Sequence, residues 1–171
     1  MSINRVYVQY TQTFDGFTRP SNTTTYTAGD VIADSASAAT ILKFSRCAGE
    51  PGQGGFIKSA ILIDSSDEST KLNADLFLFN VSPVTYGNDN EAFAPTDAEL
   101  RDCVGVITLD GTVAANLKAG SGNSVINNFG IDMAFTCTIN ERALYGVLVA
   151  RNAYVPTSAE VFRIKLGVLQ S

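Results

Sequence analysis

The pattern that most restricts this chain is alternation at period two. In residues 5–11 (RVYVQYT), Val6 and Val8 fall on one side of an extended backbone and Tyr7 on the other, the spacing of a half-buried strand. Strand-like runs recur at 26–33, 39–46, 56–63, 72–79, 104–109, 125–129, 133–139, 144–151 and 160–169, with Gly, Pro, Asn or Asp between them. Eight to ten short strands at such intervals predict an all-β fold: an antiparallel β-sandwich, jelly-roll-like. One short helix is expected at TDAELRD, after a long connection over 80–95. There Thr96 is a natural N-cap, Glu99 follows three residues later, and Asp97 and Glu99 sit at the positive end of the helix dipole. The run 72–79 ends as continuous apolar residues. It should therefore be covered on both faces, by a second sheet and by a loop or neighbour.

At 171 residues the chain is long enough for one well-formed core. We divide it into residues 1–25, an N-terminal strand and polar arm or loop, and 26–171, a single β-sandwich domain. The Thr-rich stretch 12–25 contains Asp15-Gly16 and Pro20, both turn signals.

The glycine-rich segment 46–60 (RCAGEPGQGGFIKSA) invites comparison with a phosphate-binding loop. Gly49 and Gly54 have the right separation, but Gly55 and Phe56 stand where Lys and a hydroxyl are required. The better expectation is a hairpin loop joining two antiparallel strands. No His occurs, which excludes Ser-His-Asp and Cys-His nucleophilic arrangements. Asp64, Asp67 and Glu68 form one acidic group, and Asp89 and Glu91 another. Both are expected to be solvated loop charges. The stretch Asn88 to Glu91 lacks the spacing and glycine of a calcium-binding helix–loop–helix. The expectation is no enzyme, no cofactor and no metal.

The net charge of −5 comes from 12 basic and 17 acidic residues, with no clustered basic stripe. Direct nucleic-acid binding is not expected, and no apolar run is long enough for a membrane helix. Cys47, Cys103 and Cys137 are far apart and odd in number. They are expected to be free thiols, Cys137 in the core, in a chain that folds in a reducing cytoplasm.

Three segments carry a resemblance. They are Tyr26-Thr27-Ala28-Gly29-Asp30-Val31, the strand from Leu72 to Asn80 (LNADLFLFN), and the connection from Asp89 to Leu100 (DNEAFAPTDAEL). Their order and spacing resemble a family of small virion proteins from tailed bacteriophages, the capsid decoration or cement proteins and related particle components. Members often carry Trp where this chain has Phe77, Phe79 and Phe93. The resemblance implies a structural protein on the capsid surface, made in the host cytoplasm. Its partner would be the major capsid protein, and it would self-associate, as a homotrimer at threefold or quasi-threefold positions.

Phe14 and Phe17 lie in the polar stretch, where exposed rings need a cover. We expect them, with Tyr86, Asp89 and Phe93 from the long connection, to contact a neighbouring subunit or the shell. The alternative for the two N-terminal rings is folding back onto their own sandwich. The alternative function is a carbohydrate- or receptor-binding jelly roll of a phage tail or head fibre. With no Trp, its sugar platforms would be Tyr86 and Tyr154.

Overall fold

The computed structural model describes residues 9–66, 68–115 and 123–171. The expected N-terminal positions Val6, Tyr7 and Val8, and the acidic Asp67, lie outside the described residues. Among the described residues nine strands form two sheets: β1 (Gln9–Thr18), β2 (Val31–Ile32), β3 (Leu42–Phe44), β4 (Gly54–Asp64), β5 (Ala74–Phe79), β6 (Cys103–Leu109), β7 (Ser124–Thr136), β8 (Leu144–Ala150) and β9 (Val161–Gln170). One sheet has the order β1-β9-β4-β7 and the other β2-β8-β5-β6, with β3 also paired to β8.

The pairing describes a long antiparallel hairpin rolled into a sandwich. β1 pairs β9, β2 and β3 pair β8, β4 pairs β7, and β5 pairs β6. Rolling then adds β4 to β9 and β5 to β8. This is the jelly roll expected from the strand pattern. The bend of the hairpin lies between β5 and β6. It holds the long connection and the helix α1 (Asp97–Leu100), where Thr96 and Glu99 form the expected capping box.

The inner faces meet in one core. Ile57, Leu62, Phe162 and Leu166 come from the first sheet, and Phe44, Leu76, Leu78 and Leu148 from the second. Period-two alternation is what places these side chains together, since every second residue of a strand faces the same layer.

Four expectations are corrected. The stretch 12–18 is sheet rather than arm, because β1 continues to Thr18, where it pairs with Val161. Its inward Thr13 is buried and donates to the carbonyl of Ser45 at 2.6 Å, so a polar residue serves the inner face. Next, the glycine-rich segment is not a hairpin: β3 and β4 belong to different sheets, and the segment carries the chain from one layer to the other. Gly52, at φ 77°, supplies a left-handed turn there that a side chain would strain. The two strands expected at 125–129 and 133–139 are one, β7, continuous through Gly130 at φ 78°. The register against β4 shifts beside it, between Ile57 and Ser59. Finally, the run expected at 26–33 is a strand only at Val31–Ile32, after Gly29 turns at φ 96°.

Cys47 and Cys137 are buried in the core, and Cys103 is half-buried under the second sheet's outer layer. Burial pushes the Cys47 thiol up to about 12 and the Cys137 thiol up to about 11. Little thiolate forms at neutral pH in such surroundings. A thiol reagent is expected to label Cys103 first and the other two only at the rate of unfolding. Mass spectrometry of a labelling time course checks this, and fast labelling at all three would contradict the packing.

Candidate docking surface

The outer faces of the two sheets are treated differently by the chain. Over the second sheet lies a layer of Val31, Ala33, Phe79, Val147 and Val149, half-covered by Phe77, Tyr86 and Phe93. The long connection forms this cover. Phe93 meets Phe77 edge-on at 4.9 Å between ring centroids and Phe79 at 6.5 Å. Tyr86 donates its hydroxyl to the carbonyl of Ala39 at 3.0 Å. The connection also pairs along β2. Val31 N–H donates to Glu91, Asn90 N–H to Val31, and Phe93 N–H to Gly29. Backbone groups that would otherwise be stranded are satisfied in this way.

Asp89 locks the cover in place. It is 5% exposed and faces Arg19, 2% exposed, across a salt bridge of 3.2 Å. Tyr26 sits between them, accepting from Arg19 Nε and donating to Asp89. Asp89 also accepts the Ala33 N–H at 3.0 Å. Arg19 reaches the carbonyls of Asn22 and Thr157 as well. The end of β1, the connection and the loop before β9 are thus tied at one buried point. Burial, then the hydrogen bond to Asp89, raises Tyr26 far above an ordinary phenol, so it stays a donor.

Of the five expected interface residues, the structure therefore places three against their own chain. Asp89 is not available to a partner, and Tyr86 and Phe93 spend part of their surface covering the second sheet. The remaining two part company. Phe14 and Phe17 are an odd number of residues apart on one strand, so they point to opposite faces. Phe17 turns inward, with its ring 5.9 Å from Phe162, which is the folding-back alternative. Phe14 turns outward and is 70% exposed. Tyr154, named as a sugar platform, is buried and donates to Glu160, and Tyr86 is half-buried.

Phe14 belongs to a surface that sequence reasoning missed. Nothing in the chain is found over the outer face of the first sheet among the described residues. Strand register arranges it in rows from β1 through β9 and β4 to β7: Tyr10-Leu169-Phe56-Ala134, Gln12-Gly167-Ser59-Phe129, Phe14-Lys165-Ile61-Asn127 and Gly16-Arg163-Ile63-Val125. Phe129 is 67% exposed, and Tyr10 and Phe56 are exposed too. Gly167 lets Tyr10 lie across the sheet, since a Cβ there would stand 2.2 Å from the Tyr10 hydroxyl oxygen. Hollows flank Phe14, the larger about 540 Å³ and the other about 450 Å³, and Arg163 lines both. Arg163 and Lys165 pair with no carboxylate among the described residues. Lys58 pairs with Asp132 at the register shift. Only Ile61 and Ile63 keep a readable period-two spacing. Phe56, an odd five residues before Ile61, joins the same face through the register shift between Ile57 and Ser59, and only pairing shows that these strands are neighbours.

The acidic group around Asp64 is also unlike its expectation. Asp64 and Glu160 are each 1% exposed, with their carboxyl groups hydrogen-bonded together. Ser124 and the Ser66 N–H donate to Asp64, while Tyr154 and the Thr157 N–H donate to Glu160. Burial and then the Asp64 hydrogen bond push Glu160 up to about 8. Two carboxyl groups in contact cannot both ionise cheaply, so they hold a proton between them. Such a pair is the usual starting point for acid–base chemistry, but this one is sealed from solvent, and neither hollow beside Phe14 reaches it. Among the described residues no group of three or more acidic or Cys side chains is placed to hold a metal ion. No helix among them is long and apolar enough to cross a membrane.

No protein-family model matches the chain, and no curated protein does. Among solved structures it is similar to a chain of the "Capsid of Ralstonia phage GP4", at 16% identity and a TM-score of 0.37. The match covers 100% of this chain and 89% of that one. At that identity and score the likeness carries no argument about what this chain does.

Proposed function

We propose that this chain is a structural virion protein without enzymatic activity, which decorates and stabilises a bacteriophage capsid. It does so from the capsid surface, by self-association and by binding the major capsid protein. The observation that carries the reading is the outer face of the first sheet, which no described residue covers. The chain spends a long connection and a buried ion pair on covering one sheet, yet leaves four aromatic rings exposed on the other. Contiguous apolar surface of that kind marks an interaction site on a folded protein. The resemblance at residues 26–31, 72–80 and 89–100 supplies the context of a particle, and implies a trimer. Repeated weak contacts on a lattice would then add by avidity.

The test is reconstitution. Heads assembled without this chain are mixed with purified protein, pelleted, and heated. Saturable binding and a higher temperature of head rupture are expected. Free protein left wholly in the supernatant, with heads no more resistant, would overturn the proposal.

A further inference from the structure

We infer that the outer face of the first sheet receives a second copy of this chain, in a head-to-tail contact with the surface formed by residues 81–85 and α1. This rests on the self-association proposed above and names the two surfaces that meet. The first is apolar and positive. Covering a ring buries roughly 150–250 Å², so the exposed parts of Tyr10, Phe14, Phe56 and Phe129 present about 450 Å². A standard interface takes about 800 Å² from each partner, and half-exposed Ile61, Ile63, Val125 and Leu169 extend the face toward that size. Its cations without a carboxylate partner among the described residues are Arg163 and Lys165.

The second surface is apolar and negative. Val84 is 88% exposed, and Val81 and Leu100 are exposed beside it. The Glu99 carboxylate accepts the N–H groups of Val84 and Thr85 at 2.7 and 2.6 Å, which fixes the Val84 turn against α1. Asp97 is the first residue of α1 and Asp102 follows the helix, with Arg101 the one cation in the same stretch.

Charge selects the pairing. Two sheet faces packed on each other would enclose Arg163 and Lys165 of both copies in one interface, and like charges there are costly. Packed on the α1 surface, the same cations meet carboxylates. A contact between two different surfaces is heterologous. It closes into a ring when the rotation between copies allows and otherwise continues as a filament.

The test exchanges the charges in the full chain. One variant carries Arg163→Glu and Lys165→Glu, a second Asp97→Lys and Asp102→Lys, and a third all four. Sedimentation velocity over a concentration series reads association, and a melting curve checks each fold. The wild type is expected to associate, and each two-site variant to do so at least about tenfold more weakly. The four-site chain, whose surfaces have traded sign, should regain association. Weakening in fewer than both two-site variants, or no recovery in the third, overturns the inference and leaves self-association to another surface. A monomeric wild type overturns it as well, and heads that still bind that monomer would leave decoration standing. If a charge variant fails to fold, Phe14→Ser and Val84→Ser replace it, since both side chains are exposed. Association lost in both supports the contact, and association kept in either overturns it.

Discussion

Replacing Asp89 with Ala is expected to destabilise the fold by about 3–5 kcal/mol, the cost of leaving a buried charge without its partner. The stranded group would be Arg19, whose side chain has no exposed surface. Arg19 would keep its contacts to Tyr26, to the Asn22 side-chain oxygen and to loop carbonyls, and the Ala33 N–H would lose its acceptor. Urea denaturation read by circular dichroism measures the loss. The conservative Asp89→Asn keeps the shape and part of the hydrogen bonding, so it should fall between wild type and Ala. A loss under about 1 kcal/mol for Ala, the level of an exposed pair, would mean that the ion pair is solvated and that the cover over the second sheet is held by its rings alone.

The second large effect is in pH. Stability is expected to fall as pH rises from about 5 to about 8. The pair Asp64–Glu160 takes up protons more tightly in the folded chain than in the unfolded one, Glu160 at about 8 against an ordinary 4.5. Its contribution is therefore fully present below the unfolded value and is lost as pH climbs through the folded one. One proton retained across that window gives a slope of at most about 1.4 kcal/mol per pH unit. Lys71 draws Asp64 the other way and Glu68 adds repulsion at Tyr154, yet burial is the largest cause at both carboxyls. The lowered carboxylates, exposed Glu91 and Asp110 and half-buried Glu99, act below the window, at more acid pH. Denaturation midpoints at fixed pH steps read the slope, and Glu160→Gln should flatten it. A midpoint that rises over the same range in the wild type would show the pair ionised and the assignment mistaken.

How far the sequence could be read depended on the distance over which each feature is decided. Strands whose alternation is local and apolar, such as β5, β8 and β9, were legible, as was α1 with its capping box. β1 was legible only in its first residues, within the strand read at 5–11; beyond them an edge strand with Thr13 on its inner face lacks the apolar alternation that marks a core strand. The opposite orientation of Phe14 and Phe17 was readable from their odd spacing once a strand was granted. Asp89 was not readable as a buried residue. Its burial depends on Arg19, 70 positions earlier, and its neighbours in sequence are all polar. Asp64 was hidden in the same way, since Glu160 lies far along the chain. The hairpin expected between β3 and β4 failed for a topological reason: short loops in a rolled sandwich change sheet as readily as they reverse direction.

The rolled hairpin also dictates when the molecule can form. Gln9 pairs with Gln170, and β4 has both of its neighbours, β7 and β9, later in the chain. A ribosome therefore releases β1 and β4 long before either has a strand to join. Loop-closure entropy must be met before such distant pairings return anything, and folds of this kind take milliseconds to seconds rather than microseconds. In that interval the ring-bearing face of β1 and β4 is open together with its unpaired edges, the condition under which chains aggregate at high concentration. The same exposed rings that equip the finished protein for a partner thus make a high concentration of unfinished chains hazardous, and the folded yield in a cell should fall as more chains are made at once.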